Sequence, residues 1–380
     1  MKTFLKALSK LDLLLVFVPI GLYLDKATKL DKSWIFLICA LSIIPLAGII
    51  GRATEQLSER AGPAVGGLLN ATFGNAAELI IAIIALKGGH VAIVQASLTG
   101  SIIGNLLFVF GLAAFVGGLR REKQTLNVTA AGVSNSSLHL AVIGTLIPSV
   151  LFSAADVKMH EPNVQKLSFA ISVVLLVLYA LGLIFSLRTH KHLYGEEEES
   201  MAAADLPAHE SLSTHDADEP VWPIWVAVAV LLVASTGVGI VSESLVGAVE
   251  TAVERFHMSE AFVGVVILAI VGNAAEHSTA VIMAHKGKMA LAHSIAAESS
   301  KQIALFVIPV CVLLGAFLVP PGSKELMTLH FSMAEVMAAY VSVLVINQIL
   351  ADGETTWLEG AQLLGLYVIL GAMFFFVKTD

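Results

Sequence analysis

Residues 68–80 read LLNATFGNAAELI and residues 270–278 read IVGNAAEHS, so the sequence GNAAE occurs twice in one chain. Sliding the chain by 198 positions superimposes the two copies, and 13 of the 36 positions from 74 to 109 are then identical without a gap. Chance matches between apolar segments involve Leu, Ile and Ala, whereas Gly, Asn, Glu and Ser match in register here. The sequence therefore predicts an internal structural repeat.

The composition around this repeat indicates a membrane protein. Of 380 residues, 57% are hydrophobic and only 14% are charged, and the mean hydropathy is +0.84. A soluble domain is about a quarter charged because its surface faces water. The apolar runs approach the roughly 20 residues of a membrane-spanning helix and do not alternate with a period of two, which excludes a transmembrane barrel. We therefore predict an all-α polytopic membrane protein.

The apolar runs and the Gly and Pro residues between them predict eleven helices. Their approximate positions are 11–30, 33–51, 66–87, 90–118, 128–155, 166–188, 221–242, 261–284, 293–318, 330–350 and 357–377. The two GNAAE copies fall in the third and eighth helices, five crossings apart. An odd number of crossings turns the second copy upside down, so the repeats have inverted topology, as in many secondary transporters.

The chain divides into four predicted parts: an N-terminal helix (1–30), a first repeat (31–189), an acidic linker (190–220) and a second repeat (221–380). The linker contains the run Glu196–Glu199 and several histidines, which we interpret as a solvated tether rather than a metal or pH sensor. The balance of Lys and Arg between loops favours a cytoplasmic N-terminus and linker. Cys39 and Cys311 lie in apolar runs and are interpreted as packing residues.

Glu78 and Glu276 end the two GNAAE copies and lie near the middle of predicted membrane helices. An ionised carboxylate at that depth costs about 3 kcal/mol on insertion scales. An isolated buried Glu is often protonated and merely hydrogen-bonded, but two in matching repeat positions indicate a function. We predict that both carboxylates bind a transported ion.

Other residues repeat around the two carboxylates: Asn75 and Asn273, Gly74 and Gly272, and Ser101 and Ser299. Each Asn precedes its Glu by three positions and shares its helix face, and each Gly permits close helix approach or local unwinding. Carboxylate, amide and carbonyl oxygens suit a hard divalent cation such as Ca2+, with Mn2+ as an alternative. The serines either join this site or bond to their own helix.

Gln302 is a further candidate for binding the cation and protons, and Asn105 and His277 are accessory candidates. Asn105 and Gln302 follow Ser101 and Ser299 within about one turn, which places more polar groups near the predicted site. His277 follows Glu276 directly and is interpreted either as a proton relay or gate, or as a packing residue.

With these motifs the chain resembles the calcium/cation–proton exchangers of the cation/Ca2+ exchanger superfamily. The resemblance covers nearly the whole chain and is carried by the two GNAAE motifs, SLTGSIIGNLL at 97–107, SSKQIALFVIP at 299–309 and DGETTWLEG at 352–360. It implies a lone first helix, two inverted five-helix repeats and an acidic linker. It also implies that Glu78 and Glu276 bind cation and protons alternately, with no cofactor.

The chain departs from the exchanger pattern at Glu298 and Lys301, where the family usually has a small and an apolar residue. The two side chains are three residues apart on one helix face, which favours an internal ion pair. Alternatively, Lys301 reaches the site as a built-in positive charge and alters ion affinity or selectivity.

The predicted function is therefore antiport of Ca2+, or a similar divalent cation, against protons. Two ionised carboxylates carry a charge of −2 that one divalent cation or two protons neutralise, and we expect the loaded forms to reorient. A Na+/Ca2+ exchanger is the nearest alternative, although no extra carboxylate marks a Na+ site. A passive channel and an intramembrane enzyme based on His277 are weaker alternatives.

The expected partners are the divalent cation, protons and the lipid bilayer of a prokaryotic inner membrane. Nucleic acid is not expected because the net charge is −8 and no basic surface is apparent. Homo-oligomerisation is left open by the sequence.

Overall fold

The computed structural model describes residues 10–153, 161–190, 222–320 and 326–376, and these are almost entirely helical. In the first half, a 3-10 segment (Lys10–Val16) precedes α1 (Phe17–Ala27), α2 (Lys32–Phe73), α3 (Ala76–Lys87), α4 (Val91–Ile103), a π-helical turn (Gly104–Val109), α5 (Phe110–Gly118), β1 (Gln124–Thr125), α6 (Val128–Ser153), α7 (Glu161–Ile184) and a second π-helical turn (Phe185–Thr189).

The second half consists of α8 (Ile224–Val246), α9 (Val249–Phe256), α10 (Glu260–Phe262), a π-helical turn (Val263–Leu268), α11 (Ala269–Gly272), α12 (Ala274–His285), α13 (Met289–Gln302), a π-helical turn (Ile303–Val307), α14 (Ile308–Leu318), α15 (Met333–Ile349), a 3-10 turn (Leu350–Asp352), β2 (Glu354–Thr355) and α16 (Trp357–Phe376). The predicted acidic linker lies, apart from His190, outside the described residues.

The all-α membrane architecture is confirmed, but the count of eleven spanning helices is not. Within the described residues, 8 helices are long and apolar enough to cross a membrane, or 9 if the bent pair Val249–Phe256 and Glu260–Gly272 is one span. α1 has 11 residues and α3 has 12. Each is shorter than the roughly 20 residues that a complete crossing requires.

The predicted break near Gly62–Pro63 appears as a bend within α2, which continues for 42 residues. A Cβ added at Gly66 would lie 2.2 Å from the carbonyl oxygen of Ser58, eight residues earlier. In a straight helix, residues eight apart are separated by about 12 Å. The chain therefore turns back between these positions, and the apolar span of α2 ends at Ser58.

The halves pack through their long first helices and through glycines. α2 and α8 lie side by side over a buried cluster that includes Phe36, Ile43 and Val238. A Cβ added at Gly360 in α16 would lie 2.3 Å from the backbone nitrogen of Phe115 in α5. With any larger residue there, the two backbones would have to separate. Glycine is common at such close helix contacts in membrane proteins.

The contacts of the loops show that the two repeats are inverted. β1, after α5, pairs antiparallel with β2, after α15, with Gln124 opposite Thr355. Near the other end of the span Val91–Gly118, Gln95 donates hydrogen bonds of 3.0 Å to the carbonyls of Thr328 and His330, in the loop before α15. The 198-residue offset makes that loop equivalent to the loop after α5. The loop after α5 and the equivalent loop before α15 therefore lie at opposite ends of the span Val91–Gly118, as inverted repeats require.

The N-terminal segment is held on α2 by an ion pair. Nη2 of Arg52 lies 2.8 Å from both carboxylate oxygens of Asp12, whose side chain is only 2% exposed. Farther along, Asp31 caps the start of α2 by accepting a hydrogen bond of 2.9 Å from the backbone of Ser33. Hydrogen bonds from the Ser33 hydroxyl and backbone lower the pKa of the Asp31 carboxyl.

Candidate functional site

Each GNAAE sequence interrupts its helix at the Asn. Asn75 (φ −102°, ψ 30°) separates α2 from α3, and Asn273 (φ −97°, ψ 8°) separates α11 from α12. The backbone hydrogen bonds from Leu79 to Asn75 and from His277 to Asn273 are kept, so each interruption is only about one residue wide. The sequence suggested local unwinding at the preceding Gly, and the structure places it one residue later.

The interruption places each Glu in the first turn of a new helix. Glu78 is the third residue of α3, and Glu276 is the third residue of α12. The unpaired N–H groups at a helix N-terminus carry partial positive charge and favour a carboxylate there. The local structure thus offsets part of the cost of two negative groups inside the membrane.

The two carboxylates are brought together across the repeat interface. A Cβ added at Gly272, one turn before Glu276, would lie 3.4 Å from Oε1 of Glu78. This contact brings the Glu78 carboxylate to a residue one turn before Glu276. Glu78 is 7% exposed, and Oε2 of Glu276 is buried without a hydrogen-bond partner. Gly272 therefore admits the carboxylate of one repeat against the backbone of the other.

The asparagines and serines also pair across the repeats. Ser299 Oγ donates a hydrogen bond of 3.0 Å to Oδ1 of Asn75, and Asn273 Nδ2 donates one of 2.9 Å to Oγ of Ser101. Because Asn75 corresponds to Asn273 and Ser101 to Ser299, the same pair of residue types meets twice, with serine as the donor in one contact and the acceptor in the other. The serines could have bonded only to their own helices, and the structure instead shows contacts between repeats.

Two amides make the network asymmetric. Asn75 Nδ2 donates a hydrogen bond of 2.7 Å to Oε1 of Gln302, and Asn105 Nδ2 donates one of 3.0 Å to Oγ of Ser299. A Cβ at Gly74 would lie 3.3 Å from the same Gln302 oxygen. Asn105 and Gln302 therefore join the site only on the Asn75 side.

A π-helical turn follows the serine in each repeat. Phe110 N–H donates to the carbonyl of Asn105 in the first half, and Ile308 N–H donates to that of Ile303 in the second. Such wide turns are rare and often lie at functional sites. They occur at equivalent positions, just beyond Ser101 and Ser299, in helices that line the site.

The unsatisfied atoms of the site are oxygen acceptors. Glu276 Oε2 and Asn273 Oδ1 are both buried and have no hydrogen-bond partner within the described structure. Among the described residues, no three His, Cys, Asp or Glu side chains cluster to hold a metal ion. Two carboxylates with amide oxygens therefore form the candidate site, and oxygen ligands of this kind fit a hard divalent cation.

The accessory candidates have different surroundings. His277 is buried, and its ring packs edge-on against Phe108 with centroids 5.9 Å apart. Lys301 and Glu298 form the ion pair that their spacing favours. Ser134 Oγ in α6 donates a hydrogen bond of 2.8 Å to Oε1 of Glu298. Ser134 was not predicted as a contact of this pair, since nothing in the sequence sets the position of α6 against α13.

Another missed feature is the close crossing of α4 with the second repeat. A Cβ added at Gly100 would lie 2.3 Å from the Cα and carbonyl oxygen of Val265, and one at Gly264 would lie 2.5 Å from the Cβ of Ala96. The only signal in the sequence is the presence of these two glycines within apolar spans.

Comparison with known proteins agrees with this geometry. The sodium/calcium exchanger protein family matches residues 32–188 and 226–376. A Ca2+/H+ antiporter of Aphanothece halophytica is 44% identical over 365 residues, covering 96% of this chain and 95% of that protein. The Ca2+/H+ antiporter ChaA of Bacillus subtilis is 44% identical over 341 residues, covering 90% and 92%. The solved structure of native YfkE is 38% identical with a TM-score of 0.79, covering 97% and 100%.

Proposed function

The chain belongs to the sodium/calcium exchanger protein family, and from this premise we propose that it exchanges Ca2+, or a similar divalent cation, for protons across a membrane. The observation that carries the proposal is the pair Glu78 and Glu276, contributed by opposite repeats, with the Glu78 carboxylate packed against Gly272, one turn before Glu276. Both curated relatives described above are Ca2+/H+ antiporters. Na+/Ca2+ exchange has less support for this reason.

Exchange follows from the charge of the site. Glu78 and Glu276 together carry −2 when ionised, and a dehydrated site holding that charge is costly to move through the membrane interior. One divalent cation or two protons remove the charge. The protein therefore reorients when it is loaded with either, and reorients far more slowly when it is empty. This condition couples the two ion movements and prevents leak.

Individual residues have separate roles in this scheme. Glu78, Glu276 and the unpartnered Oδ1 of Asn273 supply ligand oxygens to the cation. Asn75 Oδ1 is already bonded to Ser299, so this asparagine orients the site in the arrangement seen here. Gly74 and Gly272 provide the space for side chains of the other repeat.

The loop charges support a cytoplasmic N-terminus in a prokaryotic inner membrane. Counting crossings then places the turn at Arg120–Lys123 and the start of α13 on the cytoplasmic face. In agreement with their lying on one face, Arg121 Nη1 donates a hydrogen bond of 3.4 Å to the carbonyl of His285, which ends α12. A cysteine-accessibility assay at Arg120 in intact cells would test this orientation.

The test of function is counter-ion dependence. The full chain is reconstituted into vesicles loaded with Ca2+, and efflux is followed under a pH gradient, under a Na+ gradient and with neither. We expect efflux to be coupled to proton uptake, to be accelerated by the pH gradient and to be unaffected by the Na+ gradient. Added Mn2+ then measures the selectivity of the same site.

Two outcomes would contradict the proposal. Efflux driven by Na+ without a pH gradient would make the protein a Na+/Ca2+ exchanger. Efflux that takes up neither protons nor Na+ would make it a channel. Protein-free vesicles report the background leak.

A further inference from the structure

Glu298 and Lys301 form a charged pair at a depth where charges are rare. They are the tenth and thirteenth residues of the 30-residue span Met289–Leu318. At 1.5 Å per residue, Glu298 lies about 14 Å along the helix from its start. Charged side chains at such depth almost always face the protein interior or a water-filled cavity.

The pair is partly open rather than enclosed. The side chain of Glu298 is 32% exposed and that of Lys301 is 15% exposed. Ser134 in α6 binds one Glu298 oxygen, and Lys301 binds the other. An ionised carboxylate with a third of its surface uncovered cannot face lipid cheaply, so the uncovered side of Glu298 requires contact with water.

The equivalent position in the first repeat is closed. Glu298 corresponds to Gly100, where an added Cβ would come within 2.3 Å of the backbone of Val265 in the second repeat. Gly264 packs against Ala96 in the same crossing. Gly66 is the residue of the first repeat that corresponds to Gly264, and the atoms nearest to it belong to Ser58 of the same helix. The two halves therefore differ. The helix crossing at Gly100 is tightly packed, whereas the equivalent position in the second repeat leaves room for the long charged side chains of Glu298 and Lys301.

The pair lies beside residues of the candidate site on α13. Gln302 lies one turn beyond Glu298 on α13 and accepts the hydrogen bond of 2.7 Å from Asn75. Ser299, the neighbour of Glu298, donates to Asn75 as well. An ion passing along α13 from its start meets Glu298 about one turn before it reaches Gln302.

Building on the proposed function, we propose that Glu298 is the first carboxylate that an entering cation meets and that Lys301 is its displaceable counter-ion, so that the pair selects divalent over monovalent cations. The ammonium of Lys301 is a tethered single charge on a flexible stem. A monovalent cation offers Glu298 no more charge than Lys301 already supplies. A divalent cation has twice the Coulomb attraction and displaces the ammonium.

The experiment compares four forms of the full chain in vesicles: wild type, Lys301→Met, Glu298→Gln and the double variant. Ca2+ uptake under a pH gradient is measured in K+ and in choline at equal ionic strength, giving KM and the maximal rate for each. Choline is too large for the site, so the salt exchange isolates competition by a small monovalent cation.

The expected results separate the four forms. Lys301→Met exposes Glu298 to K+, so its KM rises by roughly two- to fivefold when K+ replaces choline, the size of effect usual for a partly exposed ion pair. Wild type shows little change. Glu298→Gln raises KM in both salts while keeping its maximal rate, and the double variant does not respond to K+.

Several results would overturn the proposal. One is a Lys301→Met variant as indifferent to K+ as wild type, and another is an unchanged KM in Glu298→Gln. A loss of maximal rate at constant KM would assign the pair a structural role instead. If Lys301→Met fails to fold, Ser134→Ala, which frees Glu298 on its other side, must show a KM that rises when K+ replaces choline, or the proposal fails. Wild type without proton-coupled uptake would instead refute the proposed function.

Discussion

Ser299 donates a hydrogen bond of 3.0 Å to Asn75 across the interface between the two repeats. The contact between Asn273 and Ser101, at 2.9 Å, is its counterpart in the other direction. The two contacts hold the interrupted helices of GNAAE against the helices that carry the serines. The pseudo-symmetry of the sequence is thus expressed as a pair of matching contacts beside the two carboxylates.

The two serines differ in the number of buried polar groups that lose a hydrogen-bond partner when each serine is replaced by alanine. Ser299→Ala deprives both Asn75 Oδ1 and Asn105 Nδ2 of a partner. Ser101→Ala affects Asn273 Nδ2, which keeps its bond of 2.9 Å to the carbonyl of Ala269. An unsatisfied buried polar group costs about 1–3 kcal/mol. We expect Ser299→Ala to lower the thermal stability in detergent and to raise the Ca2+ KM more than Ser101→Ala does. The reverse order would show that the network is not arranged in this way.

The closed crossing of α4 predicts a large effect from one methyl group. Gly100→Ala would place Cβ 2.3 Å from backbone atoms of Val265, which no side-chain rotation relieves. Overpacking of this kind costs about 1–3 kcal/mol. Thermal unfolding and uptake should both be impaired. Gly365→Ala in α16, where nothing lies within 4 Å, is the matched control and should be neutral. Equal behaviour of the two variants would contradict the close crossing.

The loop ion pair predicts a pH dependence of stability. Lys123 lies 2.6 Å from Glu354, and the hydrogen bond and charge of that carboxylate raise the pKa of Lys123. A raised pKa means that the stabilisation is present below the ordinary lysine value of about 10.4 and is lost as the pH rises through the folded-state pKa. The difference in Tm between wild type and Lys123→Met should therefore persist at neutral pH and vanish in strong alkali. It should also shrink at high salt.

Lys286→Met serves as the control, since Lys286 is an exposed lysine at the C-terminus of α12. The difference in Tm between Lys286→Met and wild type should not change with pH in the way expected for Lys123→Met. A Tm difference between wild type and Lys123→Met that grows as the pH rises would contradict the raised pKa of Lys123.

The repeat in the sequence was sufficient to predict the candidate site in outline. Two polar GNAAE segments in apolar surroundings indicated Glu78 and Glu276, and their separation by an odd number of crossings indicated inversion, which the loop contacts confirm. Both predictions rest on local composition and on counting, which do not require knowledge of packing.

Features that depend on how helices meet could not be predicted in this way. The pairing of Ser299 with Asn75 and of Ser134 with Glu298 depends on the relative positions of separate helices. The bend of α2 and the division of the eighth predicted helix into short pieces depend on tertiary contacts that override local periodicity. The predicted count of eleven spans is not confirmed, because helices such as α1 and α3 are too short to form full apolar spans by themselves.

The role of the two carboxylates needs a control for the general loss of a buried acid. Glu335 is 5% exposed and completes a capping box with Ser332 at the start of α15. Glutamine can replace glutamate in that motif. Glu335→Gln should therefore fold and retain uptake.

The most direct test is Ca2+ uptake under a pH gradient by Glu78→Gln and Glu276→Gln in reconstituted vesicles. A neutral amide cannot exchange a proton or balance half of a divalent charge. Each variant should elute and unfold in detergent like the wild type and yet show no uptake above protein-free vesicles. Uptake at the wild-type rate by either variant would contradict the assignment of this pair as the exchanging site.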